Sequence, residues 1–175
     1  MFTCLNYFHI VYNRRIIERE ESSLSETAAE LRQNEKKSET IPVFGYELIR
    51  EVLLYEILGN DAPDILYWAG KRLARHYPME SISQMIEFFQ QAAWGNLTII
   101  KESKDEMEFM LFSSLISDRL QKNDQCTFQL EAGFIAQQLE IQKEVICEAY
   151  EQPHKKRGKV HFTVKWDKKD TLNRS

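Results

Sequence analysis

Few residue groups in this sequence have the types and spacing that chemistry needs. Glu47 and Glu51 stand one helical turn apart, as an acid and base pair would. A catalytic carboxylate pair needs an apolar cleft to shift its proton affinity, and this pair reads as a solvated helix face. The four histidines, His9, His76, His154 and His161, are scattered, and no HExxH or close Cys/His cluster exists, so no metal site is expected. His76 falls at the end of a predicted helix beside Tyr77 and Pro78, where its positive charge suits the terminal carbonyls. It is read as a solvent-edge residue, not as a metal or haem ligand. The three cysteines, Cys4, Cys126 and Cys147, are widely spaced without a CxxC pair and read as packed, reduced thiols. There is no GxGxxG, GxxxxGK[ST] or GxSxG, hence no phosphate cradle and no nucleophile elbow. No catalytic residue and no cofactor follows from these patterns. What remains is a series of aromatics at helix ends, including Phe44, Tyr46, Tyr67, Trp68, Phe88, Phe89 and Trp94. Ordinary core packing is one use for them; lining a pocket for an apolar small molecule is the other.

Charge narrows the partners. The chain has 175 residues, a formal net charge of -4 and a pI near 5.7, without the basic excess of a protein that lives on nucleic acid. From Pro153 onward, however, eight Lys or Arg face two Asp, with Lys155, Lys156 and Arg157 adjacent. That is read as a soluble hairpin tip and tail. Contact with an acidic surface, a lipid headgroup or RNA is the alternative, but no aromatic residues interleave for base stacking. No apolar run reaches the ~18–20 residues that span a bilayer. The opening MFTCLNYFHIVY is short, and Arg14 and Arg15 follow it instead of preceding it, so neither a signal peptide nor a membrane span is expected.

The elements that must position these residues are legible from periodicity. Residues 18–40 carry seven Glu against four Lys or Arg and few apolar residues, so residues 1–40 read as a mobile arm. A second reading makes part of it the product of an upstream start, with Leu24 or Leu31 as the alternative start. The single domain is expected over 41–167 and a basic tail over 168–175. Pro42 opens it, and Phe44, Leu48, Val52 and Tyr55, widened by Ile49 and Leu53, form a helical stripe that Gly59 stops. A second helix carries Ile65, Leu66, Ala69 and Leu73 and ends before Pro78. Ser81 and Gln84 form a capping box for a third, with Ile82, Met85, Ile86 and Phe89 on its buried face. The period then switches to strands at 97–100 and 107–111, with a short helical turn near 115–120. A fourth helix over 128–141 has Phe128, Ala132, Ile135 and Leu139 as its stripe, with Phe134 adjacent. Gly133 within it is read as a close helix–sheet contact, the alternative being room for a ligand or partner helix. Strands at 145–150 and 159–166 close the chain, the second alternating Val160, Phe162, Val164 and Trp166 with polar residues. Helices and strands in blocks place the chain in the α+β class, with helices packed on a small antiparallel sheet of about four strands.

From Ile41 to Asp170 the chain closely resembles the YslB-like family, small uncharacterised proteins of Bacillus and its relatives. The stretches IPVFGYELIREVLL, APDILYWAGKRLAR, AAWGNL, QLEAGFIAQQLE and VHFTVKWDKKD carry the resemblance. More remotely, the helix around Ala132 to Ile135, the strand ending near Cys147 to Tyr150, the basic turn and the last strand resemble the vinyl-reductase-type domains. These share a superfamily with Golgi transport-particle subunits and haem nitric-oxide sensors. The resemblance implies an α+β domain that holds an apolar or haem-like ligand, often as a dimer. Haem is not carried over, since no Tyr-x-Ser-x-Arg motif or placeable proximal His is found, and the transport-particle lipid-attachment Cys has no counterpart.

The expectation is therefore a cytoplasmic, non-enzymatic domain that binds a small apolar ligand in a regulatory role. Its pocket candidates are Phe44, Tyr46, Trp68, Phe89, Trp94 and Phe134. The alternative is a homodimeric protein-interaction or scaffold module with its pocket filled by side chains and its first helices forming the dimer face.

Overall fold

The computed structural model describes residues 42–123 and 126–171, and the chain divides into two compact units, Met1–Glu47 and Leu48–Ser175. The expected arm over 1–40 and the last four residues of the expected tail lie outside the described residues. In the first unit, Pro42 leads into helix α1 (Val43–Glu47), and its carbonyl accepts from Gly45 N at 2.9 Å.

The second unit opens with a π-helical stretch (Leu48–Leu53), helix α2 (Leu54–Leu58) and a 3-10 turn (Gly59–Asp61). Helices α3 (Ala62–His76) and α4 (Ile82–Gln91) precede strands β1 (Asn96–Glu102) and β2 (Glu106–Phe112). Helices α5 (Ser114–Lys122) and α6 (Gln129–Lys143) precede β3 (Val145–His154) and β4 (Lys159–Thr171). The predicted block order and α+β class are thus observed. The sheet is antiparallel throughout, in the order β1-β2-β4-β3, which leaves β1 and β3 as edges. Alternation sends Met107, Phe109 and Leu111 of β2 and Val160, Phe162 and Val164 of β4 into one core face. β4 runs on to Thr171, through residues expected in the tail.

Local chemistry starts the helices where expected. Ser81 Oγ accepts from Gln84 N at 3.3 Å, while Gln84 Oε1 accepts from Glu80 N at 2.9 Å. Pro63 sits in the first turn of α3, where a missing N–H costs nothing.

Helix α6 departs from the expected single stripe. Ten consecutive residues, Glu131 to Glu140, are buried, because α6 packs on β3 with one side and on α3 with another. Burying the whole circumference forces every polar side chain on it to find a partner. Gln138 Oε1 accepts from Met79 N at 3.1 Å and its Nε2 donates to Tyr77 O at 2.7 Å. Gln137 Oε1 accepts from Arg75 Nη2 at 2.8 Å. Gly133 is here the point of closest approach to a helix, not to the sheet. A Cβ on it would lie 1.9 Å from Tyr67 O, and a Cβ on Gly70 would lie 2.1 Å from Leu130 O. Two facing glycines let the α3 and α6 backbones touch.

The segment 48–55 also corrects its expectation. The stripe of Leu48, Ile49, Val52 and Leu53 is exposed, while Arg50 is buried. Glu51, expected on a solvated face, has a side chain 15% exposed and lies 2.6 Å from Arg119 Nε. Glu131 of α6 explains the inversion. Its buried carboxylate takes Arg50 Nη2 at 2.6 Å and lies 3.5 Å from Arg119 Nη1. A buried carboxylate left unpaired is costly, and the inward side of the segment supplies the cation that pairs with it.

Candidate functional site

A groove of about 510 Å³ lies between α3 and the free edge of β3. The α3 wall is Asp64, Tyr67, Trp68 and Lys71, one stripe of the helix; Ile146, Glu148 and Tyr150 come from β3. Trp68 is 62% exposed and Tyr150 55%, whereas Tyr67 meets Trp68 edge-on at 6.2 Å between centroids and is partly buried. Solvent thus reaches two aromatic surfaces backed by a third.

The floor is built by satisfying a strand edge. An edge strand presents unpaired N–H and C=O groups. Here side chains take them: Ala149 N donates to Tyr67 Oη at 3.2 Å, and Cys147 N donates to Glu140 Oε2 at 3.3 Å. Lys71 Nζ donates to Cys147 O at 3.3 Å and to Glu140 Oε2 at 3.1 Å. The Lys71 ammonium lies 5.7 Å from the Trp68 centroid and 6.0 Å from that of Tyr67. Lys71 is therefore pinned at the back of the groove by a carboxylate, a carbonyl and two rings. At one end of the groove Glu151 holds α6 in place: Thr127 Oγ1 donates to it at 2.6 Å and Phe128 N donates to its other oxygen. A carboxylate at a helix N-terminus satisfies donors that the helix cannot.

Burial governs the proton affinities around this groove. It pushes the Tyr67 hydroxyl up, with the Glu148 and Glu140 carboxylates adding to the rise against the Ala149 hydrogen bond. Burial raises Glu151 despite its hydrogen bonds from Thr127 and Phe128. The Cys147 thiol is pushed up to about 12 by burial and by Glu140, which makes it a packing residue and no nucleophile. Tyr150 is raised by the hydrogen bond it donates to Glu148, at 2.7 Å.

The six pocket candidates fall into separate places. Phe89, Trp94 and Phe134 are buried together in the core. Phe134 stacks on Phe88 at 4.7 Å and meets Trp94 edge-on at 5.3 Å, so the rings fill the space between them. Trp68 stands apart on the groove. Phe44 and Tyr46 belong to α1; Phe44 is 72% exposed and Tyr46 partly buried. Sequence reasoning missed Lys71, Ile146 and Tyr150. The signal for the last two was present: in β3, Ile146, Glu148 and Tyr150 alternate with the inward Cys147 and Ala149.

Other features hold less. The basic tip folds as a 3-10 turn (Lys155–Arg157) closed by Gly158 at φ 59°. His161 Nε2 lies 3.0 Å from Glu108 Oε2 on the outer sheet face. Among the described residues no cluster of three or more His, Cys, Asp or Glu is placed to hold a metal ion. No helix among them is long and apolar enough to cross a membrane.

Comparison with known proteins adds to this geometry. A family model described as a protein of unknown function (DUF2507) matches residues 43–165. The chain is 49% identical over 129 residues to the uncharacterized protein YslB of Bacillus subtilis, covering 74% of this chain and 87% of that one. It is similar in fold to a vinyl-4-reductase family protein from Methanocaldococcus jannaschii, with TM-score 0.57 and 19% identity over 75% of this chain and 85% of that one. It is also similar to the phenol-responsive sensory domain of the transcription activator PoxR, solved with phenol, with TM-score 0.51 and 13% identity over 72% of this chain and 75% of that one. At these identities the structural likeness is one of fold.

Proposed function

This chain belongs to the DUF2507 family of proteins of unknown function, and from that premise we propose that it is a non-enzymatic domain binding a small apolar or amphipathic molecule in a regulatory role. One observation carries the reading: a groove of about 510 Å³ walled by exposed Trp68 and Tyr150 over Tyr67. Exposed aromatics in a concavity are an unusual use of apolar surface, and burying them under a ligand is favourable. The occupied edge of β3 supports a small molecule over an added peptide strand. At Cys147 and Ala149 the groups that a strand would pair with are already taken by Glu140, Lys71 and Tyr67. A domain whose shared fold includes a phenol-responsive sensor is a suitable frame for such a role. The buried free thiols Cys126 and Cys147 suit the reducing cytoplasm, where we place the protein.

The test is an indole N–H NMR titration with small aromatic probes. The chain has three tryptophans, and Trp94 and Trp166 are buried internal references. Binding in the groove moves the Trp68 signal and leaves the other two; uniform silence of Trp68 would overturn the reading.

A second reading, a homodimeric interaction module, is favoured by the inverted segment 48–57. Leu48, Ile49, Val52, Leu53 and Ile57 are all exposed there. Contiguous exposed apolar side chains are typical of a face that another protein covers. Sedimentation of the native protein and of the Ile49→Glu/Leu53→Glu variant checks it: a native dimer turned monomeric is expected, and a native monomer at high concentration refutes it.

A further inference from the structure

The charge around the groove has a sign, and it points to a class of ligand. Lys71 is the one cation among the described lining residues, and its side chain is 9% exposed. Its ammonium is committed to Glu140 Oε2 at 3.1 Å and to Cys147 O at 3.3 Å. A ligand carboxylate would reach it only by breaking that pair, leaving Glu140 buried without its cation. The rim carries the opposite charge. Asp64 of α3 and Glu148 of β3 are both exposed and both line the groove. Among the described residues no cation forms an ion pair with either. Lys165, the cross-strand neighbour of Glu148, lies 3.6 Å from Glu106 instead. Among the described lining residues an anionic ligand would therefore meet two exposed carboxylates and only the committed Lys71 ammonium. A cationic one meets those carboxylates and the faces of Trp68 and Tyr150, whose ring quadrupoles attract positive charge.

We infer that the groove takes an organic cation, an ammonium carried on an apolar or aromatic body. The ammonium sits between the Asp64 and Glu148 carboxylates, and the body lies against Trp68 and Tyr150. This rests on the groove being the binding site, as proposed above. Lys71 acts here as a positioning residue. Held from behind, it fixes the Tyr67 and Trp68 rings without competing for the rim carboxylates.

The experiment uses three probes that share a benzyl group, followed at the Trp68 indole resonance of the full chain at constant ionic strength. They are benzyltrimethylammonium, benzyl alcohol and phenylacetate. The cation is expected to bind about tenfold or more tightly than phenylacetate, the combined scale of an exposed cation–π contact and rim electrostatics. The gap should narrow as salt is added, since exposed charges are screened. The Asp64→Asn/Glu148→Gln variant should bring the two ions to similar affinity, with benzyl alcohol reporting any change that Glu148→Gln makes through its hydrogen bond from Tyr150. Phenylacetate binding as tightly as the cation, or a gap that survives the double variant, overturns the inference while the groove stands. If no probe moves the Trp68 signal, the groove itself is wrong and the inference falls with it.

Discussion

Two groups of aromatic rings in this protein, each built around a tryptophan, end in opposite environments. Phe88, Phe89, Trp94 and Phe134 close on one another where α4 meets α6. Tyr67, Trp68 and Tyr150 stand open where α3 meets the edge of β3. Each group has a buried cation at its back. The Arg50 guanidinium lies 5.7 Å from the Trp94 centroid and pairs with Glu131; the Lys71 ammonium lies 5.7 Å from the Trp68 centroid and pairs with Glu140. The difference lies in what covers the rings. The first group has β-sheet and helix around it, whereas the second faces the side of β3 where no further strand continues the sheet. Ring chemistry alone does not leave a ring open to solvent; a sheet edge beside the rings with no further strand does.

That contrast is sharpened most by truncating one ring from each group. Phe134→Ala should cost about 3–5 kcal/mol of unfolding free energy, the range for a fully buried Phe. Trp68→Ala should cost about 0.5 kcal/mol or less, as surface changes do. Urea unfolding of both variants checks this, and equal costs would erase the distinction between closed and open.

The buried ion pairs come next. Glu131→Gln leaves Arg50 and Arg119 without their shared carboxylate, at a cost of about 3–5 kcal/mol in urea unfolding. A loss well below 1 kcal/mol would mean that segment 48–55 is oriented by something other than these pairs.

Glu151, at the end of the groove, gives a smaller and pH-dependent effect. Burial raises its proton affinity in the folded state. Over the window between its unfolded and folded values, the native protein keeps a proton that the unfolded chain has lost. Its contribution is therefore full below the unfolded value and is lost as pH rises through the folded one. Relative to Glu151→Gln, the native protein should lose stability as pH rises from the unfolded glutamate range. A difference that instead grows with pH would contradict the burial.

The smallest effect is chemical. Cys147, pushed up to about 12, should resist iodoacetamide at pH 8 in the folded protein, as read by peptide mass. Fast alkylation there would show that the β3 edge opens and would break the contrast from the groove side.

Much of the fold was legible because its signals are local. Ser81 with Gln84 marks a helix start through bonds spanning a single turn, and alternation over Val160 to Trp166 marks a strand by side-chain direction alone. The candidate site was legible only in part. Trp68 could be named as an exposed-pocket aromatic, but Phe89, Trp94 and Phe134 have the same chemistry and lie in the core. Gly133 announced a close contact, yet the backbone it meets, at Tyr67, lies on a helix that nothing in the local pattern selects.

The sequence by itself determined the α+β class, the block order and the two alternating strands, because each depends on the nearest neighbours along the chain. Only the tertiary structure decided that α6 is buried all round, that Arg50 turns inward while Leu48 and Ile49 turn out, and that Tyr67 meets Ala149 across 82 residues. These are choices among distant partners. Periodicity says that a helix has a face to bury, but charge pairing and edge satisfaction between remote segments settle what that face meets.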